Sequence, residues 1–217
     1  MVRPRLVQHR ASPVTATRPD APVSRKASVD DLLVTLGTLR DCFSEPLDPE
    51  LVSRLGELAR VQPSWQPCAQ AAAAEPIEGL ADEWMRLFEG PGRIPAPLFG
   101  SFYLDDGLLM GPSSIAVAAE YRRHGVQPRA GATPPDHLAF ELGFLGMLTA
   151  EDGPSARAER AAFARRFLGW LPSLRNAVQD ASSTAYFREL TALAAAVVDA
   201  LAADGASDRE SARRAFP

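Results

Sequence analysis

Ile77-Glu78-Gly79-Leu80-Ala81-Asp82-Glu83-Trp84-Met85-Arg86-Leu87-Phe88-Glu89-Gly90-Pro91-Gly92 contains a helix and its stop signal. Ile77, Leu80, Ala81, Trp84, Leu87 and Phe88 fall at i, i+3, i+4, i+7, i+10 and i+11, which is one apolar stripe on a helix. Glu78, Asp82, Arg86 and Glu89 occupy the other side. Gly90-Pro91-Gly92 must end it, because glycine permits left-handed dihedrals and proline cannot continue the hydrogen-bond ladder.

The same period extends outward on both sides. Ser28 and Asp31 form a capping-box pattern opening a helix through Leu32, Leu33, Leu36, Leu39 and Phe43. Asp48-Pro49 starts another, with Leu51, Leu55 and Leu58 on one face. Residues 61–76 suggest a short helix and a loop. A loop of prolines and glycines spans 90–111, long enough to be functional or partly structured. Pro112 opens a helix ending at His124-Gly125. Thr133-Pro134-Pro135-Asp136 starts the next, whose Leu138, Phe140, Leu142, Phe144, Leu145, Met147 and Leu148 are apolar nearly all round, as in a central, buried helix. Helices at 154–171 and about 183–203 follow, and a short one near 207–215 is possible. No useful period-2 alternation occurs. The fold class is all-α: one bundle-like domain of about eight to ten helices over 28–217, with no sheet.

Residues 1–27 carry six basic groups and one acid, net +5, with no aromatic residue and no period, and read as a disordered basic tail. The other 190 residues carry 17 basic and 26 acidic groups, net −9. Such an acidic body disfavours nucleic acid and suits a basic partner. No apolar run approaches the ~18–20 residues that span a bilayer, and the N-terminus lacks the apolar stretch of a secretory signal, so a cytoplasmic location is expected. Cys42 and Cys68 have no metal-ligand spacing and suit two free thiols. No cofactor is expected: Gly90-Pro91-Gly92 lacks the Gly-Lys-Ser/Thr and the preceding strand of a phosphate loop.

Four stretches, in order, resemble the TorD/DmsD family of redox-enzyme maturation chaperones. Glu83 through Gly92 is similar to its aromatic-x-x-Leu-Phe-x-Gly-Pro run, and Pro97-Leu98-Phe99-Gly100-Ser101-Phe102-Tyr103-Leu104-Asp105 to its Pro-Pro-Trp-x-Ser-Val-Tyr-Leu-Asp. Pro135-Asp136-His137-Leu138 leads into Glu141-Leu142-Gly143-Phe144-Leu145, and Phe163 through Trp170-Leu171-Pro172 is similar to Phe-x-x-x-His-Leu-x-x-Trp-x-Pro. The likeness covers about 28–203. Phe99 stands where the family has tryptophan, and Phe167 about where it has histidine. The resemblance implies a cytoplasmic chaperone, not an enzyme. It would bind the twin-arginine signal peptide of a molybdopterin oxidoreductase subunit and hold back export until cofactor insertion is complete. A NarJ-like chaperone acting on the mature subunit is the alternative. A monomer and a helix-swapped dimer both remain open.

The implied peptide-binding residues are Trp84, Leu87, Phe88, Gly90, Pro91, Phe99, Tyr103, Asp136 and His137. Each also has a structural reading. Trp84, Leu87 and Phe88 are core by their spacing. Asp136 suits the first turn of its own helix, where a carboxylate caps free N–H groups. His137 and Glu141, at i and i+4, suit a mutual hydrogen bond. Seven acids between 75 and 106 (Glu75, Glu78, Asp82, Glu83, Glu89, Asp105, Asp106) against Arg86 and Arg93 are either a solvated face or partners for arginines. A hydrolase or metal enzyme built on Asp136, His137 and Glu141 would need a metal or a nucleophile nearby, and the chain has three histidines in all.

Overall fold

The computed structural model describes residues 28–127, 133–151 and 153–215. The basic tail expected at 1–27 lies outside the described residues. Ser28 and Asp31 form the expected capping box, each backbone N–H donating to the other's side chain at 3.1 Å, and open α1 (Val29–Ser44). Asp48 caps α2 (Pro49–Val61) by accepting the Leu51 N–H at 2.7 Å. A 3₁₀ turn, Pro63–Trp65, leads into α3 (Gln66–Ala73). α4 (Ile77–Trp84) passes into a single π-helical turn, Met85–Glu89, before the Gly-Pro-Gly stop. α5 (Gly100–Leu104) lies inside the segment expected as a loop. α6 (Pro112–Arg123) ends as expected at His124, with Gly125 left-handed at φ 73°.

α7 (Leu138–Ala150) is the buried helix. α1 packs along it, α8 (Pro154–Phe167) packs beside it, and α10 (Ala185–Ala215) packs against α3, α8 and α9 (Leu171–Ala181). Two expectations at the C-terminal end are corrected. Leu171-Pro172, read as a helix stop, instead opens α9 (Leu171–Ala181), because proline fits a first turn as well as it ends a last one. The helices expected at 183–203 and 207–215 are one, α10 (Ala185–Ala215). Among the described residues ten α-helices enclose one continuous apolar core, and there is no strand. None of the helices searched is long and apolar enough to cross a membrane.

Trp84, Leu87 and Phe88 join the layers. Phe88 meets Phe43 of α1, Trp84 of α4 and Phe187 of α10 edge-to-face, at centroid distances of 6.2, 5.7 and 5.6 Å. The Trp84 indole N–H donates to the Cys42 carbonyl at 3.1 Å. Glu83 ties α4 to α10. It binds Arg86 through two hydrogen bonds of 2.6 and 2.8 Å and accepts the Ser183 N–H at 2.7 Å, just ahead of α10. Burial alone would raise its pKa, but these hydrogen bonds win and hold it at about 2.

Candidate functional site

The second and third sequence stretches meet at one backbone seam. Phe99 and His137 form an isolated antiparallel bridge. Gly100 N–H donates to the Asp136 carbonyl at 2.9 Å, and Leu138 N–H donates to the Leu98 carbonyl at 2.8 Å. The bridge sews the proline-rich segment to the start of α7. Asp136 then locks the seam with its side chain. One carboxylate oxygen accepts the Ser101 N–H at 2.8 Å and the other accepts the Ser114 hydroxyl at 2.6 Å. Asp136 is 1% exposed. It therefore caps α5 and grips α6, where the sequence suggested that it caps its own helix.

His137 is the N-cap of α7. Its Nδ1 accepts the Ala139 N–H at 3.2 Å, which leaves the ring proton on Nε2. The ring meets Phe99 edge-on at 5.2 Å and Phe140 at 6.1 Å. Burial pushes the imidazole down to about 4, with the Asp136 carboxylate opposing, so it is uncharged at neutral pH. The expected His137–Glu141 hydrogen bond gives way to another pairing. The Glu141 carboxyl turns to Trp170, whose indole N–H donates to it at 3.0 Å. Glu141 is 1% exposed. Burial raises its pKa well above the carboxylate range; the Trp170 hydrogen bond opposes this and Asp136 adds to it. Trp170 in turn stacks on Tyr103 at 5.1 Å, the planes 11° apart. Gly100 is required beneath this pair, because a Cβ there would lie 2.8 Å from the indole nitrogen.

The nine sequence-predicted residues thus divide. Phe99, Tyr103, Asp136 and His137 come together at the seam. Trp84, Leu87 and Phe88 are core residues, and a peptide reaches them only if the corner opens. Gly90 and Pro91 stand at the rim after the π-turn, half-buried and exposed. Of the seven acids, Glu83 and Asp105 are engaged in capping, while Glu75, Glu78, Asp82, Glu89 and Asp106 are exposed. Ser101, Ser114 and Trp170, which hold the site's carboxyls, were not singled out from sequence; no local pattern links positions so far apart. Among the described residues no cluster of three His, Cys, Asp or Glu could hold a metal ion.

Among the described residues, ten α-helices and no strand, with the loop segment sewn to the buried helix, make an all-helical bundle. The crystal structure of an Archaeoglobus fulgidus protein assigned as a redox enzyme maturation protein superposes with a TM-score of 0.55 at 21% identity, over 85% of this chain and 99% of that one. The chain belongs to the nitrate reductase delta subunit family, whose pattern matches residues 45–176. It is similar to the Tat proofreading chaperone DmsD of Salmonella typhi, 29% identical over 129 residues, 59% of this chain and 63% of that one. The DmsD of Salmonella paratyphi A is 31% identical over 107 residues, 46% of this chain and 52% of that one. The match therefore spans between about half and two thirds of those relatives' length. The TorD/DmsD resemblance is borne out by these matches.

Proposed function

We infer that this protein is a cytoplasmic maturation chaperone, not an enzyme. It binds the twin-arginine signal peptide of a molybdopterin-dependent oxidoreductase subunit and holds back export until cofactor insertion and folding are complete. The observation that carries this reading is the Phe99–His137 seam, which gathers the aromatic and polar residues of two separate sequence stretches at one corner. The acidic body adds attraction for a basic peptide, chiefly through the rate of encounter. An apolar leader segment contributes ~25 cal/mol per Å² buried before ordering costs, which suits micromolar binding and release. Half-buried Phe99 and Tyr103 form the accessible part of the site, with Gly90 and Pro91 at the rim and His137 buried against Phe99. Asp136 supports it from beneath, while Trp84, Leu87 and Phe88 lie in the core and join the site only if the corner opens.

Calorimetry of the full chain against leader peptides of the host's molybdoenzymes tests this, with low-micromolar binding expected. No heat with any of them, and no recovery of a leader-bearing subunit in pull-downs, overturns it. The family match favours a second reading, in which the chaperone acts on the mature part of a molybdoenzyme subunit, as a NarJ-type protein does. Recovery of a leaderless subunit as efficient as that of the full-length one supports this second reading.

A further inference from the structure

The largest group of exposed apolar side chains lies beyond the seam, where α5 turns into α6. Leu104, Leu108, Leu109, Met110 and Ile115 are 46, 60, 51, 65 and 67% exposed. Three of them are consecutive, in a turn that a soluble surface would ordinarily make polar. The turn is held in place. Asp105 accepts the Ser113 N–H at 2.9 Å and its hydroxyl at 2.8 Å, and the Ser101 hydroxyl accepts the Met110 N–H at 3.1 Å. Asp106 and Met110 are the two left-handed non-glycine residues among those described, at φ 51° and 57°. Gly111 admits the Asp105 carboxylate, which a Cβ would meet at 2.5 Å. Two strained residues and a clasp thus present oily side chains outward, an arrangement that contributes nothing to the core.

We propose that this platform is the docking surface for the apolar segment of the leader, with the arginine pair directed to the exposed Asp106 at its edge. The proposal rests on the leader-binding reading above and adds the place where the apolar part sits. Charge selects the occupant. Asp106 is an exposed carboxylate in the platform's own turn, between Leu104 and Leu108, and Arg166 lines a neighbouring cleft of about 260 Å³ with Leu104, Pro112 and Phe167. A peptide that joins positive charge to an apolar run meets an exposed carboxylate and exposed apolar side chains within one short turn. A second copy of this chain would bring a body of net −9 against another of the same sign. α5, at five residues, is about 7.5 Å long. The seam and the platform therefore lie within reach of a single leader, whose apolar run is about 7–15 residues.

The test uses the full chain and a fluorescein-labelled synthetic leader of the host's molybdoenzymes, read by anisotropy. The labelled set includes one version with serines replacing the apolar run and one with Ala-Ala replacing the arginine pair. Leu108→Ser combined with Met110→Gly weakens binding of the intact leader at least tenfold and leaves the serine version's binding unchanged. Ile115→Ser, on an exposed face of α6, is the second variant and weakens it about threefold. Asp106→Asn, which tolerates the left-handed backbone, weakens the arginine leader and not the Ala-Ala version. If the wild-type chain binds leaders and these variants bind equally well, the platform is refuted while the chaperone reading stands. If no leader binds the wild type, both fail. A dimer in light scattering that Leu108→Ser breaks would identify a second copy as the occupant and overturn the proposal.

Discussion

The Asp136 carboxylate accepts the backbone N–H of Ser101 at 2.8 Å across thirty-five positions of sequence, and so joins the two stretches that define the candidate site. With the Ser114 hydroxyl on its other oxygen, it closes α5, α6 and the entry to α7 into one unit. Asp136→Ala leaves a buried N–H and a buried hydroxyl without partners, at about 1–3 kcal/mol each. Urea unfolding of this variant should show a loss of about 2–6 kcal/mol. Equal midpoints for variant and wild type would mean that the carboxylate is not the clasp. Loss of leader binding by Asp136→Ala therefore has to be judged beside its stability.

Glu141 shows the opposite case, a buried carboxyl whose pKa is raised. Burial raises its pKa well above the usual range and so favours the protonated form beside Trp170. Glu141→Gln mimics the protonated side chain and should cost under about 1 kcal/mol at pH 7. Glu141→Ala opens a cavity and strands the indole N–H, at about 3 kcal/mol or more. Gly100→Ala, which drives a methyl into Trp170, should rank with the alanine variant. A glutamine variant as damaging as the alanine one would mean that the group is ionised in the fold.

Acid should act through Glu83 in a defined window. Its folded pKa of about 2 lies below the ordinary 4.5. The stability it contributes is therefore complete above pH 4.5 and lost as pH falls towards 2. The shift corresponds to about 3 kcal/mol at most, and screening at the half-exposed Arg86 reduces it to ~1–2 kcal/mol. Wild type and Glu83→Gln, compared by urea unfolding at several pH values, should differ at pH 6 and converge near pH 2. A constant difference across that range would remove the ion pair from the account.

Much of this architecture was legible because its signals are local. The capping box at Ser28, the Asp48-Pro49 start, the Trp84–Phe88 stripe and the His124-Gly125 stop are each written within a few residues. α9 was missed because Leu171-Pro172 satisfies both an end and a beginning, and only the packing of Leu174 and Val178 into the core decides between them. The site was legible in part. The sequence marked Phe99, Asp136 and His137, but their joining depends on a two-residue bridge with no period to announce it. Assigning Asp136 to its own helix was the natural local reading, and a long-range hydrogen bond replaced it. Leu108-Leu109-Met110 lies inside the segment that reads as a loop, where three consecutive apolar residues between Gly107 and Gly111 are a visible anomaly.

His137 offers the cleanest view of the site's electrostatics. Its folded pKa of about 4 lies below the ordinary 6.5 because burial disfavours the imidazolium. The neutral ring therefore stabilises the fold fully above pH 6.5, and that contribution drains away as pH falls towards 4, at most about 3 kcal/mol. Nuclear magnetic resonance of the imidazole protons should show no titration between pH 7.5 and 5.5, with the midpoint near 4. His137→Gln should flatten the decline in stability between pH 6.5 and 4. A leader peptide that packs on Phe99 and deepens the burial of the ring should depress the midpoint further. A bound-state midpoint above the free one would place a carboxylate, not an apolar segment, against this histidine.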